Sequence, residues 1–235
     1  MLLTAAPPVP STLTKAPEVA APGLIGLCCA EGVVLATSPV ALLHDTLKFK
    51  NVQRFIAPTD NLVITTSGDY SDFQHLQKII ISHLHKKQVY WGNKKADVKK
   101  VAAQLAHMCY EKRNEQDPYF IEAVVAGLDS EGKNQLYYVD KFGNFFENKF
   151  ICTGFALYIC PVIIDRNFNE KMGFKESKEL LISCFKAIAA RYTGSLDVVD
   201  FAFLGKEGVK FEREVVKLKY DYESYTHKED FMNVK

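Results

Sequence analysis

Two short apolar runs, 24–29 and 33–36 within GLIGLCCAEGVVLAT, are separated only by Ala30, Glu31 and Gly32. Continuous apolar runs this short, bounded by glycine, predict adjacent strands of a tight hairpin buried on both faces. Such a hairpin needs cover on each side, so the pattern calls for more strands beside it and helices outside. The segment 38–49 shows no clear period. A strand is predicted at 52–57, turn chemistry at Pro58, Thr59, Asp60 and Asn61, and a second strand at 62–66. A glycine turn at Gly68 then opens a helix, with Ser71 and Gln74 at capping-box spacing and Asp69 or Asp72 placed to suit the helix dipole. Phe73, Leu76, Ile79, Ile80 and Leu84 form its apolar face, with lysines and histidines opposite.

After a link at 89–93, a second helix is predicted at 96–112 on the stripe Val98, Val101, Ala102, Leu105, Met108 and Cys109. Residues 114–118 break the period. Three strands follow at 120–128, 135–139 and 144–150, turning at 129–132 and 140–143. Thr153 or Gly154 begins another helical stretch, interrupted at Pro161. Ser177 opens a clear helix to Arg191 on Leu180, Leu181, Cys184, Phe185 and Ile188. A last hairpin, 198–204 and 209–215, turns at 205–208. Strands, two helices, strands, two helices, strands: the order predicts an α+β fold of two stacked sheets with a helical layer outside each.

At 235 residues the chain suits one large domain. A formal net charge of +1 makes no electrostatic case for nucleic acid or an anionic membrane as the partner. No apolar run approaches the roughly 20 residues that span a bilayer. Residues 1–22 carry Pro7, Pro8, Pro10, Pro17 and Pro22 without the charge and apolar core of a secretory signal, and read as an extended leader. The six cysteines are then expected in a reducing compartment, as small buried hydrophobes. Cys28 and Cys29 should point to opposite faces of one strand, and no CxxC spacing occurs. Residues 217–235, charged and tyrosine-rich, read as a tail.

Few residues announce chemistry by themselves. His83 and His85 have the spacing of a metal pair, but residues two apart on a helix do not face each other. His44 and Asp45 lack a positioned nucleophile. No GxSxG, HExxH, Walker-type loop or GxGxxG is present.

The stretches GVVLAT, KNVQRF and SGDYSDFQHL resemble the β-type subunits of the 20S proteasome. AGLDSEGKNQLYYVDKFGN and CTGFALYICPVI look most like the non-catalytic beta-seven kind, called β-type 4 in animals. The likeness runs from about Gly23 to Val215, and nothing matches the N-terminal helix motif of α-type subunits. It implies a four-layer αββα sandwich of the N-terminal-nucleophile hydrolase type, with 1–22 a propeptide-like extension, 23–216 the β-type domain and 217–235 a C-terminal tail.

Active members of that family use a mature N-terminal threonine whose amine is the base. A lysine, two aspartates and a serine assist, and a glycine N–H completes the oxyanion hole. Matched through the shared motifs, the threonine falls on Pro22, the first aspartate on Ser38, the lysine on Arg54 and the second aspartate on Tyr192. Gly68 keeps the glycine, Thr153 stands at a serine-type position and Ser195 keeps the nearby serine. Thr12 and Thr14 neither follow a glycine nor begin the hairpin. The resemblance therefore implies a structural subunit without its own peptidase activity, metal or cofactor. It also implies contacts with β subunits of the same and the facing ring and with an α ring, in a particle that degrades ubiquitinated proteins in cytoplasm and nucleus. The tail is expected to reach the facing ring. The competing expectation is a stand-alone hydrolase or binding protein of similar fold.

Overall fold

The computed structural model describes residues 19–21, 23–43, 46–92, 95–192 and 198–216. The predicted hairpin is its centre. Strands β2 (Gly23–Cys29) and β3 (Gly32–Thr37) pair antiparallel, Leu24 opposite Thr37 and Cys29 opposite Gly32. They lie inside a five-stranded sheet completed by β11 (Phe150–Gly154), β12 (Val198–Gly205) and β13 (Gly208–Val215), in the order β11-β2-β3-β12-β13.

The second sheet runs from β10 (Phe145–Glu147) through β9 (Asn134–Val139), β8 (Ile121–Leu128), β7 (Leu62–Asp69), β1 (Val19–Ala21) and β4 (Val40–Leu43) to β5 (Thr46–Lys50). Strand β6 (Phe55–Thr59) also pairs with β7. Period-2 geometry sorts the side chains into two faces per sheet. Leu24, Val33, Leu35, Val63, Val124 and Leu136 meet between the sheets. Ile25, Leu27 and Val34 face α3 (Ala156–Asn167) and α4 (Phe174–Arg191), while Leu62, Ile64 and Val125 face α1 (Tyr70–Trp91) and α2 (Val98–Asn114). The result is the αββα sandwich that the apolar pattern and the resemblance both predict. Cys28 packs with the inter-sheet cluster and Cys29 with the helix-side cluster, on the opposite faces expected.

Several elements differ from the sequence reading. Residues 19–21 of the expected leader form β1, paired on one side with β4 and on the other with β7. The featureless stretch 38–49 holds the β4–β5 hairpin, whose outer strand is largely exposed and so has no apolar period. The strand expected at 52–57 begins only at Phe55. Helix α1 runs on through most of the expected link, to Trp91. Its cap is Asp69, whose carboxylate accepts from the N–H groups of Ser71 and Asp72 at 2.7 and 3.2 Å, not Ser71 with Gln74. The strand expected at 144–150 is broken at Asn148, whose N–H donates to Leu136 O; the next carbonyl, of Lys149, accepts from Cys28. The chain there crosses from one sheet to the other. Helix α3 runs through Pro161. The lost hydrogen bond and ring clash cost about 3 kcal/mol, which burial of Cys160 and Ile164 offsets at roughly 1.5–3 kcal/mol per large side chain. Helix α4 starts at Phe174, three residues before Ser177, because the Glu31 carboxylate accepts the Phe174 N–H at 2.9 Å.

Candidate functional site

Of the residues singled out by the resemblance, Gly68 and Thr153 lie beside the start of β2. Residue 22 itself, like Ser195, the His44–Asp45 pair and the tail, lies outside the described residues. On either side of it β1 ends at Ala21 and β2 begins at Gly23. Register fixes the neighbours: Ala21 pairs with Gly68, Gly23 with Gly154, and Leu24 with both Thr153 and Thr37.

Gly68 is a strand residue rather than part of the expected turn. Its φ is +94°, and a Cβ built there would sit 2.2 Å from Phe120 O. Only glycine permits both that backbone region and that approach.

Arg54 is fully buried between β4 and the start of α1. Its Nε and Nη2 donate to Val40 O at 3.2 and 2.7 Å, and its guanidinium carbon stands 5.4 Å from the centre of the Tyr70 ring. Nη1 has no partner among the described residues, and Arg54 makes no ion pair among them. Burial pulls its pKa down to about 10, against the opposing pull of Tyr70 and Asp69. It therefore stays charged at neutral pH. Protonated, the guanidinium has no lone pair with which to accept a proton.

Ser38 is buried at the end of β3, its hydroxyl 3.5 Å from Val198 O. Tyr192 stacks on Phe155 with ring centres 4.6 Å apart, and its N–H donates to Ile188 O, ending α4. The Thr153 hydroxyl is buried without a hydrogen-bond partner among the described residues. Sequence reasoning missed Glu122. Its carboxylate accepts the Gly154 N–H at 3.0 Å and the Ser67 hydroxyl at 3.4 Å, tying the two sheets together beside Thr153. One acid in an apolar strand could have drawn notice, but only sheet stacking shows what it reaches. His83 and His85 are both exposed on α1, and no cluster of metal-ligating side chains occurs among the described residues.

A family model for the proteasome subunit matches residues 21–204. The chain belongs to the proteasome subunit family. Its β type is borne out by relatives: it is 25% identical over 207 residues to proteasome subunit beta type-4 of Xenopus laevis, covering 87% of this chain and 84% of that protein. It is 27% identical over 210 residues to the probable proteasome subunit beta type-7 of Schizosaccharomyces pombe, covering 87% and 80%. It is 28% identical over 196 residues to proteasome subunit beta 1 of Pyrococcus horikoshii, covering 83% and 95%. As a β-type subunit it is part of a proteolytic complex, assembles with other proteasome subunits and has the N-terminal-nucleophile hydrolase fold.

Proposed function

We propose that this chain is a non-catalytic, structural β subunit of the 20S core, of the beta-seven kind, whose work is ring assembly. The observation that carries the reading is strand β1. The segment directly upstream of residue 22 is built into the sheet, with Ala20 and Ala21 paired to Asp69 and Gly68. The chain's own backbone thus lies along the glycine whose N–H would serve an oxyanion. Chemistry agrees. Pro22 has no hydroxyl, and an amine freed there would be secondary; Ser38 and Tyr192 offer no carboxylate, and Arg54 is held on a carbonyl. Losing the nucleophile alone costs on the order of 10⁶ in turnover.

Its partners are β subunits of its own and the facing ring and the α ring above, and its place is the cytoplasm and nucleus, in the degradation of ubiquitinated proteins. An electrophile selective for N-terminal threonines, applied to the particle, tests the reading. It should label other β subunits and leave the intact mass of this chain unchanged. A covalent adduct on any residue exposed as this chain's mature N-terminus would overturn inactivity. A stable monomer in cell extract would overturn assembly.

A further inference from the structure

Two of the six cysteines meet across a helix pair. Cys160 on α3 and Cys184 on α4 are both fully buried, in the cluster where those helices pack on the smaller sheet. The Cys160 Sγ lies 4.0 Å from the Cys184 carbonyl oxygen, and its S–H donates to the Cys184 sulfur. That hydrogen bond divides the pair. It pushes the Cys160 pKa up and holds Cys184 below its ordinary value, against the pull of burial. Cys184 is thus the one thiol among the described residues with a lowered pKa, while burial raises Cys28, Cys29, Cys109 and Cys152.

The fold also gives an oxidant a way in. Residue 161, next to Cys160, is a proline inside α3 and has no N–H for the Leu157 carbonyl. A twelve-residue helix that lacks a bond at that turn opens locally at low cost. Leu157, Tyr158 and Val162 are exposed, so the far side of α3 already meets solvent.

We propose that Cys160 and Cys184 close into a reversible disulfide when the chain meets a peroxide, locking α3 to α4. The Cys184 sulfur, its proton given up, attacks one oxygen of the peroxide. The O–O bond breaks, a sulfenic acid forms on Cys184, and the other oxygen leaves with that proton as water or an alcohol. The Cys160 sulfur then attacks the sulfenyl sulfur; the S–O bond breaks, and hydroxide leaves as water with the Cys160 proton. Two thiols lose two electrons and the peroxide takes them. Cys152 shares the cluster but meets Cys184 only through charge, with no hydrogen bond between them. In a reducing compartment small thiols reopen such a bond, so it acts as a switch rather than a permanent link. Closed, it ties the helix interrupted at Pro161 to α4 and suppresses the opening of α3.

The test takes the full chain in the form in which cells assemble it, exposes it to hydrogen peroxide, alkylates it and maps it by mass spectrometry. A Cys160–Cys184 disulfide should appear at least tenfold above any other pairing in the chain, and dithiothreitol should remove it. Amide hydrogen exchange over 156–167 should slow at least tenfold in the oxidised chain. In C160A, Cys184 should instead be trapped by dimedone as a sulfenic acid, and in C184A, Cys160 should stay reduced. Both wild-type thiols still reduced, at a peroxide dose that oxidises them in the unfolded chain, would overturn the proposal. So would oxidation of either to a sulfinic acid without a disulfide, or a link between Cys152 and Cys184. Exchange over 156–167 that oxidation leaves unchanged would overturn the lock. None of these outcomes touches the assembly reading.

Discussion

Single residues carry their constraints in two ways here, through backbone region and through burial of a polar group. Gly68 illustrates the first. A Gly68→Ala change adds a methyl 2.2 Å from Phe120 O at φ +94°, so β8 must move. The expected loss is roughly 2–4 kcal/mol in a urea titration. Gly132 has a similar φ of +82° with open space around it, and Gly132→Ala should cost only about 1 kcal/mol. Equal losses at the two sites would remove the steric part of the argument. The thiols illustrate the second. Burial pushes Cys109 and Cys152 from an ordinary value of 9.0 up to about 12. An unfolded chain releases those protons from about pH 9, whereas the folded one holds them. Stability is therefore complete below pH 9 and falls as pH rises toward 12, by about 1.4 kcal/mol per pH unit for each thiol. Unfolding at pH 8 and pH 10.5 checks the slope, which a Cys109→Ala/Cys152→Ala variant should flatten.

At the scale of elements, helix ends and strand breaks are set by polar groups that reach across the fold. Asp69 closes β7 and caps α1 at once. Asp69→Ala should lower the thermal midpoint by the equivalent of about 1 kcal/mol, and Asp69→Asn should leave it nearly unchanged. Ser71→Ala, which a Ser71 cap would make costly, should stay within about 0.5 kcal/mol. A Ser71→Ala loss equal to that of Asp69→Ala would restore the capping-box reading. Strand β1 depends most on its surroundings, since three residues pair with two neighbours and have no apolar run of their own.

For the whole molecule, four layers place the inter-sheet core at the centre and leave two helical faces outward. The outward face of α1 and α2 is basic, and the opposite layer exposes Leu157, Tyr158 and Val162 on α3. Such faces fit a subunit surrounded on several sides. The tail 217–235, outside the described residues, bears on the same scale: truncation after Val216 should weaken the joining of half-particles while the fold persists. Unchanged joining, read by native gel, would leave the tail without that role.

The sequence by itself determined the layers. Runs at 24–29 and 33–36 are apolar on both faces and 120–128 is nearly so, and helices with a single apolar stripe must cover them, so α+β stacking follows from burial alone. It also determined that residue 22 is a proline, a side chain without a hydroxyl. Tertiary structure decided what local pattern leaves free. Strand β1 exists because β4 and β7 present unpaired edges to a segment with no period of its own. The break at Asn148 exists because β2 needs a partner in the other sheet. The hold of Val40 on Arg54 and of Glu122 on Gly154 joins residues 14 and 32 positions apart. Such polar contacts depend on which strands stack, and stacking is a property of the folded chain rather than of any one stretch.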